Sequence, residues 1–287
     1  MAPKNPFRFG SDLWDPSNRF ETSWLLNPWL LFAARALISV YAFVTRFFII
    51  GWTCSHDDLG GCRDVGRSFS YFTILTYWGI AFYFAVAALH TVTYAIRGRS
   101  LLDSFPRPLK ALHALFYSTV TTYPFLVTIV YWVVLYKGPW FPVEFNAWSN
   151  ISQHGLNSLF ALFEIIVPRT NPPQWVHIAW LIFILALYLA LAYLTHATQG
   201  FYVYNFLDYQ DVGGRGIVAG YIIGIAVGIV IIFCIVWCII WARRWLTETK
   251  LGMDGKFASQ PADNNDVELA GNKHSIGNNP EAQDRVY

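Results

Sequence analysis

Apolar residues fall into six long runs along the chain, separated by short polar stretches: about 24–52, 69–96, 111–136, 148–168, 175–197 and 216–241. Each is long enough for an α-helix to cross the hydrocarbon core of a bilayer, which takes about 20 residues. The pattern predicts an all-α fold, a polytopic membrane helix bundle of about six transmembrane helices. Residues 1–23 are polar and mixed in charge and read as an N-terminal cytosolic tail, with 24–244 as the six-span domain. No cleavable signal peptide is expected, the first run serving as the insertion signal. From about residue 245 the chain loses nearly all its aromatic and branched apolar residues. A segment of that composition cannot offset its own ordering entropy, so 245–287 is expected to be a disordered cytosolic tail.

The fourth run, WSNISQHGLNSLFALFEIIVP, differs from the others. At about 100° per residue a helix gathers Asn150, His154, Asn157, Ser158 and Glu164 within about 120°. Leu156, Leu159, Phe160, Phe163, Ile166 and Val167 lie opposite. Ionisable groups inside a span are costly and by default face an interior cavity, where they mark function. The plainer reading of such a face is hydrogen-bonding between helices. In the last run, Gly216, Gly220, Gly224 and Gly228 recur every four residues and predict a face for close helix approach. Pro124 predicts a kink in the third.

Composition agrees with a membrane protein: 55% of the residues are hydrophobic and 13% charged, about half the charged fraction of a soluble domain. The net charge of +2 is spread over loops rather than one helical face, and no nucleic-acid partner is expected. With the amino terminus inside, the inner segments hold Lys4, Arg8, Arg19, Arg97, Arg99, Arg107, Lys110, Arg169, Arg243 and Arg244. The outer loops then hold only Arg63, Arg67, Lys137 and Arg215, an asymmetry that places both termini in the cytosol. The membrane is expected to be the endoplasmic reticulum or the plasma membrane. The loop CSHDDLGGC then faces outward, where Cys54 and Cys62 can close as a disulfide. Cys234 and Cys238 share one helical face and read as buried small residues or an acylation site rather than metal ligands.

Helix rise gives depth. Thr73 lies about 6 Å below the outer end of its run, and His154 and Arg46 about 9 Å. With His196 at the outer edge of the fifth run, these four can converge beneath the outer head groups. Glu164 is about 15 Å deeper than His154 and level with Arg35, so an Arg35–Glu164 ion pair is its natural assignment. A threonine beside a histidine is the minimum acyl-transfer pair, because a hydroxyl needs a base within hydrogen-bond reach.

Four segments carry a family resemblance: Tyr71-Phe72-Thr73; Trp148-x-Asn150-x-x-x-His154; Glu164, ten residues after that histidine; and His196-x-x-x-Gly200-Phe201-x-Val203-Tyr204-x-Phe206-Leu207. Together, over about 69–207, they resemble the androgen-induced protein family of multi-pass membrane proteins, which includes the androgen-dependent regulator of tissue factor pathway inhibitor. The resemblance implies hydrolysis of fatty acid esters of hydroxy fatty acids, with Thr73 as nucleophile and His154 as base. The chain departs from the family at Ile151, where the pattern has a first histidine.

The leading expectation is therefore an integral membrane lipid-ester hydrolase drawing its substrate from the bilayer, with no cofactor or metal. Asn150 and Asn157, one turn either side of His154, are candidates to orient it or to donate to an oxyanion. Arg46 is a candidate for a free carboxylate on the substrate. A second reading is a non-enzymatic transporter or scaffold, which accounts for Arg35, Glu164 and the glycine face without a nucleophile. A third is a haem protein with His90, His113 and His177 as inner ligands and His154 and His196 as outer ones. Lacking His-x-x-His or His-x-x-x-His pairs, the chain offers little to a zinc site.

Overall fold

The computed structural model describes residues 18–253, and among these the chain is helical with no strand. The helices are α1 (Pro28–Cys54), α2 (Gly61–Ser68), α3 (Phe72–Arg97), α4 (Arg107–Ile129), α5 (Glu144–Ile151), α6 (Asn157–Ile166), α7 (Val176–Gln199) and α8 (Arg215–Arg244). A wide π-type turn extends α4 through Val130–Leu135, and another, Ser152–Leu156, joins α5 to α6. Five helical runs are long and apolar enough to cross a membrane: Pro28–Cys54, Phe72–Arg97, Arg107–Leu135, Val176–Gln199 and Arg215–Lys250. The sixth predicted run is the α5–α6 composite over 144–166, set apart by its polar side chains and central wide turn. The chain is a multi-pass membrane helix bundle.

The helix ends follow local chemistry. Asn27 accepts the Leu30 amide (2.9 Å) with Pro28 at the first helical position, the usual opening of a helix. Gly98 and Gly200 close α3 and α7 at φ of +68° and +76°, a left-handed conformation that a Cβ disfavours. The α3 N-terminus has no side-chain cap of its own. Its Phe72 amide is shared by two phenols from elsewhere, Tyr188 (3.2 Å) and Tyr204 (3.1 Å).

Successive passes run in opposite directions, so both described termini lie at one end of the bundle, here termed the base. Ser23 bridges Pro168, the Arg169 amide bonds the Thr22 carbonyl (2.9 Å), and Arg19 pairs with Glu248 (2.7 Å). Arg243 ties the same end together by donating to the carbonyls of Ile165, Pro168 and Thr170. The core above it is packed from α1, α3, α4, α6 and α8 through Ala42, Tyr77, Ile80, Phe84, Tyr117, Ile165 and Phe233.

Two expectations change. Helix continues through Trp245–Lys250, beyond the boundary predicted at 245, because Glu248 is held by Arg19 and Arg244. The remainder of the two predicted tails, 1–17 and 254–287, lies outside the described residues. The glycines of α8 do not form a close-approach face. A Cβ at Gly216, Gly220 or Gly224 would meet nothing within 4 Å, and one at Gly228 would touch only Leu126, at 3.7 Å.

Candidate active site

At the end opposite the base, the mouth, α4 and the α5–α6 composite meet through their wide turns. His154 sits in the second of these, where the looser winding leaves backbone carbonyls open to outside donors. Trp132 from the first wide turn donates its indole N–H to the His154 carbonyl (2.8 Å). The imidazole lies flat against the Tyr131 ring, with centroids 3.5 Å apart and planes within 13°. Its Nδ1 is 3.1 Å from the Asn150 carbonyl. A carbonyl oxygen only accepts, so Nδ1 carries the proton and Nε2 keeps a lone pair, the tautomer a general base needs. His154 is buried, at 8% exposure.

Thr73 is the second residue of α3. It lines a cavity of about 580 Å³ together with His154, Gln153, Tyr71, Tyr131, Lys137, Tyr204 and Asn205. Thr73 also lines a second, almost wholly apolar cavity of about 190 Å³ between α4, α7 and α8, walled by Leu126, Val130, Leu185, Leu189, Ile222 and Ile225. Tyr131, Tyr204 and Phe206 border both spaces. Thr73 thus stands where the more polar chamber, walled also by Ile74, Val134, Leu135 and Val203, adjoins an apolar one.

The other predicted residues are placed differently. The Asn150 side chain accepts from the Tyr131 hydroxyl (2.6 Å) and donates to the Asn146 carbonyl (2.8 Å), so Asn150 reaches His154 through its backbone alone. Asn157 is committed to α4: it donates to the Pro124 carbonyl (3.3 Å) and accepts from Thr128 (3.1 Å). Arg46, 1% exposed, donates to Gln153 Oε1 (2.7 Å), which connects it to the chamber one residue from His154. Among the described residues no carboxylate pairs with it and its Nε has no hydrogen-bond partner, while its guanidinium lies over the Trp78 ring (5.8 Å). His196 stacks on Tyr202 (3.7 Å) and lines a separate hollow with Asp208 and Asp211.

Toward the base, Glu164 accepts from Arg35 Nε (3.1 Å) and Nη2 and from the Tyr83 hydroxyl (2.8 Å). Arg35 Nη1 also donates to Thr91 (2.6 Å) and the Phe20 carbonyl (2.7 Å). Arg35 and Glu164 are 1% and 0% exposed. Cys54 and Cys62 are disulfide-bonded at the mouth. The His90 and His113 rings meet edge to face at 5.2 Å, which leaves no space for a porphyrin between them, and His154 and His196 line different hollows. Among the described residues no group of three or more His, Cys, Asp or Glu side chains is placed to hold a metal ion.

Three residues around the pair were given no role from the sequence. Tyr131 and Gln153 carried no pattern of their own, since aromatic and amide residues are common in these runs. Tyr204 did stand in the segment Val203-Tyr204-x-Phe206-Leu207. No curated protein and no solved structure matches the chain. A family profile described as FAR-17a/AIG1-like protein matches residues 31–238, nearly three quarters of the sequence, and the chain therefore belongs to the FAR-17a/AIG1-like family.

Proposed function

We propose that this protein is a membrane lipid-ester hydrolase in which Thr73 is the nucleophile and His154 the base. One observation carries the reading: Thr73 and His154 border the same chamber, with the His154 tautomer fixed so that Nε2 is free to take a proton. Thr73 Oγ adds to the ester carbonyl carbon as its proton passes to Nε2. Collapse of the adduct breaks the ester C–O bond, and the departing alkoxide takes the proton from His154. Water then attacks the acyl-threonine by the same route, releasing the fatty acid and restoring the hydroxyl.

The two adjoining spaces suit a substrate with two unlike parts. An acyl chain fits the apolar cavity beside Thr73, and the alcohol portion occupies the polar chamber. Arg46 is proposed to bind a carboxylate carried by that alcohol portion, as in fatty acid esters of hydroxy fatty acids. A buried guanidinium held by a neutral amide and the Trp78 ring gains most from an anionic partner. Both termini are proposed to be cytosolic, with the mouth beneath the outer leaflet of the endoplasmic reticulum or plasma membrane. Purified protein in detergent should release free fatty acid from a branched fatty acid ester, and Thr73→Ala should abolish release. Undiminished hydrolysis by Thr73→Ala would place the reaction elsewhere.

A further inference from the structure

An ester cannot be opened by a nucleophile and base alone, because negative charge develops on the carbonyl oxygen and needs a preorganised donor in a site from which water is largely excluded. The side chains of Asn150 and Asn157 are committed to Tyr131, Asn146, Pro124 and Thr128. Gln153 is likewise committed, accepting from Arg46 and donating to the Ser149 carbonyl (3.0 Å). Neither Asn150 nor Asn157 lines the chamber that Thr73 and His154 share, so the donor is sought on another element.

We propose that Tyr204 is a catalytic residue of this site, its phenol O–H donating to the ester carbonyl oxygen as Thr73 adds to the carbon. The proposal rests on the Thr73–His154 reading above. Tyr204 borders both the polar chamber and the apolar cavity, as Thr73 does. Its oxygen accepts the Phe72 amide (3.1 Å), which pins the phenol to the α3 N-terminus, one residue from Thr73. The hydroxyl and amide of Thr73 themselves lie within interaction range of that oxygen. The ring is held edge-on by Tyr71 (5.8 Å) and stacked by Phe206 (5.1 Å).

The neighbouring phenol, Tyr188, spends its proton on the Ser70 carbonyl (2.9 Å). Among the described residues no carbonyl or carboxylate takes the proton of Tyr204; it has the Tyr188 and Thr73 hydroxyls within reach, and a ligand oxygen entering the chamber can take their place. Burial raises the Tyr204 pKa above that of a free phenol, against the lowering effect of hydrogen bonds with Tyr188, Thr73 and Phe72. The group is therefore a neutral donor near pH 7. The partial positive charge of the helix N-terminus favours the same oxyanion. In the step proposed, the Thr73 Oγ–C bond forms, the carbonyl π pair moves onto oxygen and the threonine proton goes to His154. Tyr204 holds the oxyanion by a hydrogen bond and keeps its own proton, and collapse returns the pair as the ester C–O bond breaks.

The test compares full-length Tyr204→Phe with wild type, with Tyr117→Phe at the base as the control for losing a buried phenol. Loss of one oxyanion donor lowers kcat by about 10²–10³-fold. That fall, with KM and the melting temperature nearly unchanged and Tyr117→Phe fully active, is the expected result. A Tyr204→Phe enzyme with kcat within threefold of wild type overturns the proposal. If Tyr204→Phe does not fold, 3-fluorotyrosine at 204 keeps the shape and lowers the phenol pKa. The alkaline limb of the kcat profile should then move to lower pH, and a limb that stays in place overturns the proposal. Thr73→Ala separates the two readings: inactive Thr73→Ala with active Tyr204→Phe removes Tyr204 alone, whereas active Thr73→Ala removes both.

Discussion

A threonine hydroxyl is a poor nucleophile until a base shares its proton, so Thr73 and His154 should fail together. Thr73→Ala, His154→Ala and the double variant should lose hydrolysis to a similar extent, the non-additivity of groups acting as one unit. Thr73→Ser keeps the hydroxyl and should retain measurable turnover. Asn150→Ala should be milder than His154→Ala, because Asn150 orients the imidazole through its carbonyl, which the substitution leaves in place. Steady-state kinetics on the five purified variants checks these orders. Arg46→Gln should raise KM for esters bearing a free carboxylate and leave the corresponding methyl esters unaffected. Toward the base, the Arg35–Glu164–Tyr83 cluster is buried and answers to stability. Leaving one buried charge unpaired costs about 3–5 kcal/mol. Glu164→Gln should therefore lower the melting temperature in detergent, and Arg35→Met combined with Glu164→Gln should lower it less.

Much at the scale of the helix was legible in the sequence. Length and hydropathy located the five long helices and the α5–α6 composite, and helix rise placed Arg35 level with Glu164 and Thr73 near enough to His154 to line one cavity with it. The wide turns at Val130–Leu135 and Ser152–Leu156 were not legible, since a π-type turn and an α-turn draw on the same residues. Asn150 and Asn157 were assigned by side chain when one acts on His154 through its backbone and the other binds the Pro-containing helix. The capping of α3 by Tyr188 and Tyr204 joins residues more than 100 positions apart, which no local pattern records. Four-residue glycine spacing promised a packed face in α8, yet those glycines face open space in the single chain. Gly220→Ala and Gly224→Ala should therefore be neutral or stabilising by up to about 1 kcal/mol, the gain of alanine over glycine in a helix. Thermal unfolding in detergent reads the sign, and a clear loss of stability would show that this face is packed.

For the molecule as a whole, the five long helices and the α5–α6 composite bring both described termini to the base and leave three loops at the mouth. The loop carrying the Cys54–Cys62 disulfide and the segment 200–214 meet there, with Arg67 over the Phe201 ring at 5.4 Å. The base is closed by arginines bonded to carbonyls and carboxylates, which gives the bundle a fixed floor. The proposed reaction lies at the other end, where the polar chamber and the apolar cavity share Thr73. Labelling of the purified full-length protein with a fluorophosphonate probe, followed by mapping of the modified peptide, asks whether that shared residue is the nucleophile. The expected result is a single adduct on Thr73, absent in Thr73→Ala and strongly slowed in His154→Ala. An adduct on another residue, or equal labelling of Thr73→Ala, would contradict the account.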